Sequence, residues 1–151
     1  MLEHVVCDMN GILAVDGVLV EGVAERIAAL RTDLAVHVLT ADTYGTRERV
    51  AAVLASACAA AGVSPPHWEH VARDAEKERY VTRLGANRVV AIGNGANDEA
   101  MFRATALRIG VITSEGIFAP TLLAAQIMVT SPLDALDLLR FPRRLTATLR
   151  S

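Results

Sequence analysis

Short apolar runs rich in valine and isoleucine alternate along this chain with longer alanine-rich segments in which apolar residues recur at helical spacing. The runs predict strands at His4 to Cys7, Ala35 to Leu39, His67 to Val71, Arg88 to Ile92, Leu107 to Ile112 and Gln126 to Val129. The segments between them predict helices at Val23 to Leu30, Thr46 to Ala61, Ala75 to Leu84, Asn97 to Ala104, Glu115 to Ala125 and Pro132 to Leu139. Strands alternating with helices are the α/β signature. The strands are apolar almost throughout, so they predict a central parallel sheet covered by helices on both faces, three layers in all. Ile12 to Val20, ILAVDGVLV, is different: Asp16-Gly17 inside an apolar stretch predicts a short β-hairpin flap directly after the first strand. There is no repeat, no low-complexity tract and no long linker, and Pro65-Pro66 punctuates one helix-to-strand loop. Residues 1–151 are expected to form a single domain.

Composition narrows the partners. The net charge is −2 and the sequence pI about 6.1, which lacks the basic field that non-specific nucleic-acid binding requires. No apolar run reaches the roughly 18 residues of a membrane span, and MLEHVV has no basic flank, so it reads as a strand rather than a signal peptide. No nucleic acid, no membrane and a cytoplasmic location are the expectations. Cys7 and Cys58 each sit in an apolar stretch and read as small buried hydrophobes without a disulfide.

Ligands of an open parallel sheet bind at the carboxyl ends of its strands. Those ends carry the polar clusters: Asp8-Met9-Asn10-Gly11, Thr40-Ala41-Asp42 and Gly93-Asn94-Gly95-Ala96-Asn97-Asp98. Gly11 lets a backbone approach a ligand closely, while Gly93 and Gly95 present amides in front of a helix, so phosphate is the natural guest. Of fifteen basic side chains fourteen are arginine; the one lysine, Lys77, opens the helix after the third strand. A compact ammonium suits a site shared with a carboxylate and a phosphate oxygen, where a planar guanidinium does not fit; a surface lysine in a Glu-Lys-Glu run is the plainer alternative. Three of the four asparagines, Asn10, Asn94 and Asn97, fall in these same loops.

Asp8-Met9-Asn10-Gly11-Ile12-Leu13, Thr40, Lys77 and Gly93-Asn94-Gly95-Ala96-Asn97-Asp98 resemble, in order, the four motifs of the haloacid dehalogenase (HAD) superfamily of phosphohydrolases. GNGANDEAMF, with SPLDALDLL and RRLTATLR near the end, is similar to the small soluble proteins named for their likeness to the phosphorylation domain of P-type ATPases. The resemblance implies a Rossmann-like HAD-type core. It implies Asp8 as a nucleophile that forms an aspartyl-phosphate, with Thr40, Ala41, Gly11 and Lys77 on the phosphoryl group. It implies a magnesium ion, Mg2+, held by Asp8, the carbonyl of Asn10 and Asn94, with Asp98 orienting Lys77 or a metal-bound water.

Two residues depart from that pattern. Position 10 is an aspartate in most family phosphatases, where it protonates the leaving oxygen and activates water; Asn10 can do neither, and such assistance is worth roughly 10²–10⁴ in rate. Asn94 replaces a metal-binding aspartate. Three readings stay open: a slow Mg-dependent phosphohydrolase or phosphotransferase acting on a phosphorylated substrate, a phosphoryl-accepting protein, and a non-catalytic phosphate-binding or assembly module. Only 32 positions separate Asp8 from Thr40 and 37 separate Thr40 from Lys77, so no cap domain is expected. The apolar flap at Ile12 to Val20 would then be exposed, which predicts a homo-oligomer with the flap at the contact.

Other residues read as structure. His4 and His37 lie inside apolar strands as satisfied histidines, Trp68 packs, His67 and His70 fall on opposite strand faces, and Arg140 to Arg150 forms an amphipathic segment with a solvated face. Asp42 lines the site or caps the next helix. A dinucleotide fingerprint at Gly93-Asn94-Gly95 fails at its third glycine, where Asp98 stands.

Overall fold

The computed structural model describes residues 1–151. Along the chain lie β1 (His4–Asp8), β2 (Ala14–Val15), β3 (Val18–Leu19), α1 (Val23–Leu30), β4 (Ala35–Thr40), α2 (Arg47–Ala60), β5 (His67–His70), α3 (Asp74–Leu84) and β6 (Val89–Gly93). They are followed by α4 (Glu99–Ala104), β7 (Leu107–Val111), α5 (Ala119–Ala124), β8 (Ile127–Val129), α6 (Pro132–Arg140) and α7 (Pro142–Leu149). Six strands form one sheet in the order β5-β4-β1-β6-β7-β8, and every neighbouring pair is parallel. The chain builds outward from β1 to one side and then returns to build the other. That reversal puts a crevice at the carboxyl ends of β1 and β6, where open α/β sheets bind ligands.

The sheet is covered on both faces. Alternate residues of β1 go to opposite sides: Val5 and Cys7 enter the larger core, with α1, α2 and α6, while Val6 enters the smaller one, with α3 and α4. The helices show why they sit there. In α2 only Val50, Leu54 and Cys58 are buried, a single stripe at i, i+4 and i+8. Removing the fully buried Leu54 side chain by Leu54→Ala would cost about 2–5 kcal/mol. Helix α6 begins with Pro132 at its first position and Ser131 accepting a hydrogen bond from Leu133 N at 3.1 Å. Helix α3 ends at Gly85, whose φ of 93° no ordinary side chain tolerates well.

Four expectations from the sequence change. The predicted helix at Glu115 to Ala125 is shorter: it starts at Ala119, because Gly116 (φ 81°) closes a turn on Thr113 and Phe118 N–H donates to Asn94 O across the structure. The predicted helix at Asn97 to Ala104 begins with a tight 3-10 turn at Ala96–Asp98 before α4, and another such turn at Ala86–Arg88 delays β6 to Val89. The flap exists as β2 and β3, with Asp16 (φ 51°) and Gly17 (φ 78°) in the turn that joins them. Part of it is covered: Ile12, Leu13 and Ala14 are buried in this chain's own core and the turn at Gly17 rests on Tyr44 and Thr46, while Val18 in β3 is 68% exposed. Between Asp8 and Thr40 the chain contains only this hairpin, α1 and β4. The arginine-rich tail forms α7, in which no residue is fully buried and Leu145 rests against the larger core. No helix is long and apolar enough to cross a membrane.

Candidate active site

Strand β1 ends on Asp8, β4 on Thr40, and β6 on Gly93, and α3 brings Lys77 to the same end of the sheet. Lys77 Nζ lies 2.8 Å from Asp98 Oδ1 and 3.3 Å from Asp8 Oδ2. Lys77 is among the largest fully buried side chains in the molecule, so the plain reading as a surface lysine is set aside. Burial opposes its charge, but the carboxylates of Asp98 and Asp8 together outweigh that and hold the ammonium above its usual range.

The two carboxylates are not equivalent. Asp98 gives Oδ1 to Lys77 and accepts the backbone N–H of Asn94 at 2.9 Å and of Gly95 at 3.0 Å on Oδ2, with no solvent exposure. Gly93 makes this possible, since a Cβ there would sit 2.5 Å from Asp98 Oδ2. Asp8 keeps one oxygen outside any ion pair and remains slightly exposed. Burial pushes its carboxyl up to about 6, opposed by Lys77 and reinforced by Asp98. Two carboxylates share one ammonium, and Asp8 carries the uncompensated charge. A cation or a covalent bond to phosphorus would relieve it. Cys7, its neighbour, is no rival nucleophile: it is buried, and burial pushes its thiol far up.

The loops after the strands present oxygens and donors toward this pair. In the turn after β1, Leu13 N–H and Ala14 N–H bond Met9 O and Gly11 N–H bonds Ala14 O, so Asn10 O accepts nothing, and Asn10 Oδ1 is buried without a partner. Asn94 Nδ2 donates to Gly116 O at 3.3 Å, which leaves Asn94 Oδ1 uncommitted. Thr40 is fully buried; its Oγ1 accepts Asp42 N–H at 2.9 Å and keeps its own proton to donate. Ala41 N–H bonds nothing within the chain. Asp42 Oδ1 accepts Arg47 N–H at 3.0 Å, so it caps α2.

No family model matches the chain. An uncharacterized protein of Methanocaldococcus jannaschii is 46% identical to it over 63 residues, 42% of this chain and 68% of that protein. The chain belongs to the family of that archaeal protein. Among solved structures, the 3-deoxy-D-manno-octulosonate 8-phosphate phosphatase of Moraxella catarrhalis, in complex with magnesium, phosphate and KDO, superposes with a TM-score of 0.67 at 16% identity. The match covers 97% of this chain and 92% of that one. A Streptomyces avermitilis protein assigned to the HAD family of hydrolases gives 0.65 at 20% identity over 91% and 88%. The protein has the HAD fold.

On that fold the structure brings together Asp8, Asn10, Thr40, Lys77, Asn94 and Asp98, residues singled out in the sequence, and refines two of the expected roles, those of Asp98 and Gly11. Asp98 is a positioning residue: both its oxygens are engaged and it is shut off from solvent, so it orients Lys77 and the Gly93–Gly95 loop rather than facing a cation. Gly11 offers close approach but no free amide, because its N–H is held by Ala14 O at 2.7 Å. Asn97 faces the loop at Gly95 rather than the centre. One residue near the centre was missed. Glu115, hidden in the sequence by a predicted helix, lies in the loop after β7 with its Oε2 over Gly11. The signal that could have found it is Gly116 next to it and Pro120 beyond, which together break a helical pattern just past a strand.

Proposed function

We propose that this protein is a Mg-dependent HAD-type phosphohydrolase or phosphotransferase working through an aspartyl-phosphate on Asp8, and slow because of Asn10 and Asn94. The single observation that supports it most is the buried Lys77 bridging Asp98 at 2.8 Å and Asp8 at 3.3 Å at the carboxyl ends of the strands. A structural ion pair needs two members; the third leaves Asp8 charged, partly desolvated and open on one side. That is how a carboxylate nucleophile is kept reactive.

In this reading an Asp8 oxygen attacks phosphorus and the bond from phosphorus to the leaving oxygen breaks. Lys77 neutralises charge on the phosphoryl group, the Thr40 hydroxyl and Ala41 N–H donate to its oxygens, and Gly11 leaves room for them. The donors fit a hard cation: they are all oxygens, and Asn10 Oδ1, Asn10 O and Asn94 Oδ1 accept no hydrogen bond from the chain. Such a cation, held by Asp8, Asn10 O and Asn94, supplies charge neutralisation and orientation of the phosphoryl oxygens. Asn10 holds no proton to give the leaving oxygen and takes none from water, so both half-reactions lack general acid–base help. Substrates with good leaving groups suffer least.

The alternative, a phosphate-binding or assembly module without turnover, is favoured by one observation: Asn10, in the acid–base position, is a carboxamide. Steady-state hydrolysis of p-nitrophenyl phosphate separates the two. Slow, magnesium-dependent release that disappears in Asp8→Asn and with excess chelator is the expected result. Release that survives either change overturns the mechanism.

A further inference from the structure

The carboxylate missing at Asn94 has a counterpart elsewhere in the chain. A Cβ built on Gly11 would lie 2.7 Å from Asn94 Nδ2, 3.1 Å from Asn94 Oδ1 and 2.8 Å from Glu115 Oε2. The carboxamide of Asn94 and the carboxylate of Glu115 thus converge on one point, directly over the turn that follows Asp8. Gly11 is glycine twice over: its φ is 81°, and any side chain would fill the space these two groups share.

The placement of Glu115 is built into the fold. Its loop is tied to the loop after β6 by Asn94 Nδ2 donating to Gly116 O, by Phe118 N–H donating to Asn94 O at 2.8 Å, and by Thr121 Oγ1 donating to Gly95 O at 2.7 Å. Within the loop, Glu115 N–H donates to Thr113 Oγ1 at 3.2 Å. Glu115 is exposed to solvent and makes no ion pair, and the buried cation Lys77 is committed to Asp98 and Asp8. Counting Glu115, the centre holds three carboxylates against one ammonium.

We propose that Glu115 supplies the negative charge that Asn94 does not, completing with Asp8, Asn10 O and Asn94 Oδ1 an oxygen-lined site for a divalent cation at the carboxyl ends of β1, β6 and β7. The inference rests on the proposal that a divalent cation binds beside Asp8. The site has moved its second acid from the loop after β6 to the loop after β7, and its charge count is that of a site with an aspartate at position 94. Hard divalent cations seek such oxygen sets, and the charge of the donors sets affinity.

Calorimetric titration of the purified protein with MgCl2 and MnCl2, read as affinity and independent of turnover, tests this. Wild type is expected to bind, Asp8→Asn to lose binding, and Glu115→Gln to weaken it about tenfold or more. Asn94→Asp placed in the Glu115→Gln background is expected to return the affinity toward wild type, which a merely folded-state defect would not do. If Glu115→Gln binds as tightly as wild type while Asp8→Asn does not bind, the role of Glu115 is wrong and the metal site at Asp8 stands. If wild type itself fails to bind either ion at millimolar concentration, the metal site and Glu115's part in it fall together.

Discussion

Lys77 and Asp98 form an ion pair 2.8 Å long in which neither side chain has more than 1% of its surface exposed. A lone buried charge is costly, and breaking such a pair by removing one partner typically costs 3–5 kcal/mol. Asp98→Asn leaves Asp8 as the only carboxylate beside the ammonium and one oxygen to serve three donors, Lys77 and the N–H groups of Asn94 and Gly95. We expect it to lose about 3 kcal/mol or more of stability, read as a lower midpoint in urea denaturation. Lys77→Arg should not rescue the site, since a guanidinium cannot occupy the space of an ammonium held at 2.8 Å and 3.3 Å by two facing carboxylates.

Gly11→Ala meets two obstacles at one position. The backbone sits at φ 81°, and the new methyl would press on Asn94 and Glu115 at 2.7 Å and 2.8 Å. A strained residue of this kind costs of order 1–3 kcal/mol. A loss in that range by urea denaturation, with weaker cation binding, is the expected outcome.

How much of this was legible in the sequence depends on what fixes each segment. Helix α1 was read at its observed ends, Val23 and Leu30, because Gly22 and the apolar stripe Val23, Ile27, Leu30 set it locally. The strand ends were legible because Asp8, Thr40 and Gly93 follow predominantly apolar runs, and the motif residues sit on those ends. The loop at 112–118 was not, because ITSEGIF carries helical-looking spacing while its shape is set by bonds to Asn94 and Gly95, distant in sequence. Glu115 was lost with it. The commitment of Asp98 to Lys77 and two amides was likewise a tertiary fact. His4 and His37 were read correctly as satisfied: His4 Nδ1 lies 3.1 Å from His37 Nε2, and His37 Nδ1 lies 2.8 Å from Tyr80 OH.

His37 also gives the fold a pH dependence. Burial, then the neighbouring His4, His67 and Arg31, push its imidazole down to about 4 from an ordinary value near 6.5. As the pH falls from about 6.5 toward 4, the unfolded chain takes up a proton that the folded chain resists. Stability conferred by the neutral ring is therefore present above the unfolded value and lost as pH drops. Between pH 7 and 5 this group should cost about 2 kcal/mol, and urea denaturation of His37→Gln should show a flatter profile over that interval.

The two asparagines make a paired prediction. Asn94→Asp loses the donor that bonds Gly116 O and sets a carboxylate beside Glu115, so without a divalent cation the variant should melt lower than wild type and regain stability when magnesium is added. Asn10→Asp alone restores a proton donor but adds charge near Asp8, so its gain should be small at low magnesium. The double variant should exceed the product of the singles, because the groups act as a unit. On a phosphomonoester with a poor leaving group its rate should rise on the order of 10²-fold, measured as phosphate release across a magnesium titration. A folded, magnesium-binding double variant no faster than wild type would favour the binding-module alternative.

The central claim is that Asp8 takes a phosphoryl group, and intact-protein mass spectrometry after incubation with acetyl phosphate and magnesium tests it most directly. On the proposed mechanism Asn10 would slow the hydrolysis of the aspartyl-phosphate, so the adduct should accumulate. The account predicts a mass increase of one phosphoryl group, located on Asp8 by peptide mapping, removed by hydroxylamine and absent from Asp8→Asn. An unmodified wild-type protein under conditions where it binds magnesium, or an adduct that persists in Asp8→Asn, would contradict it.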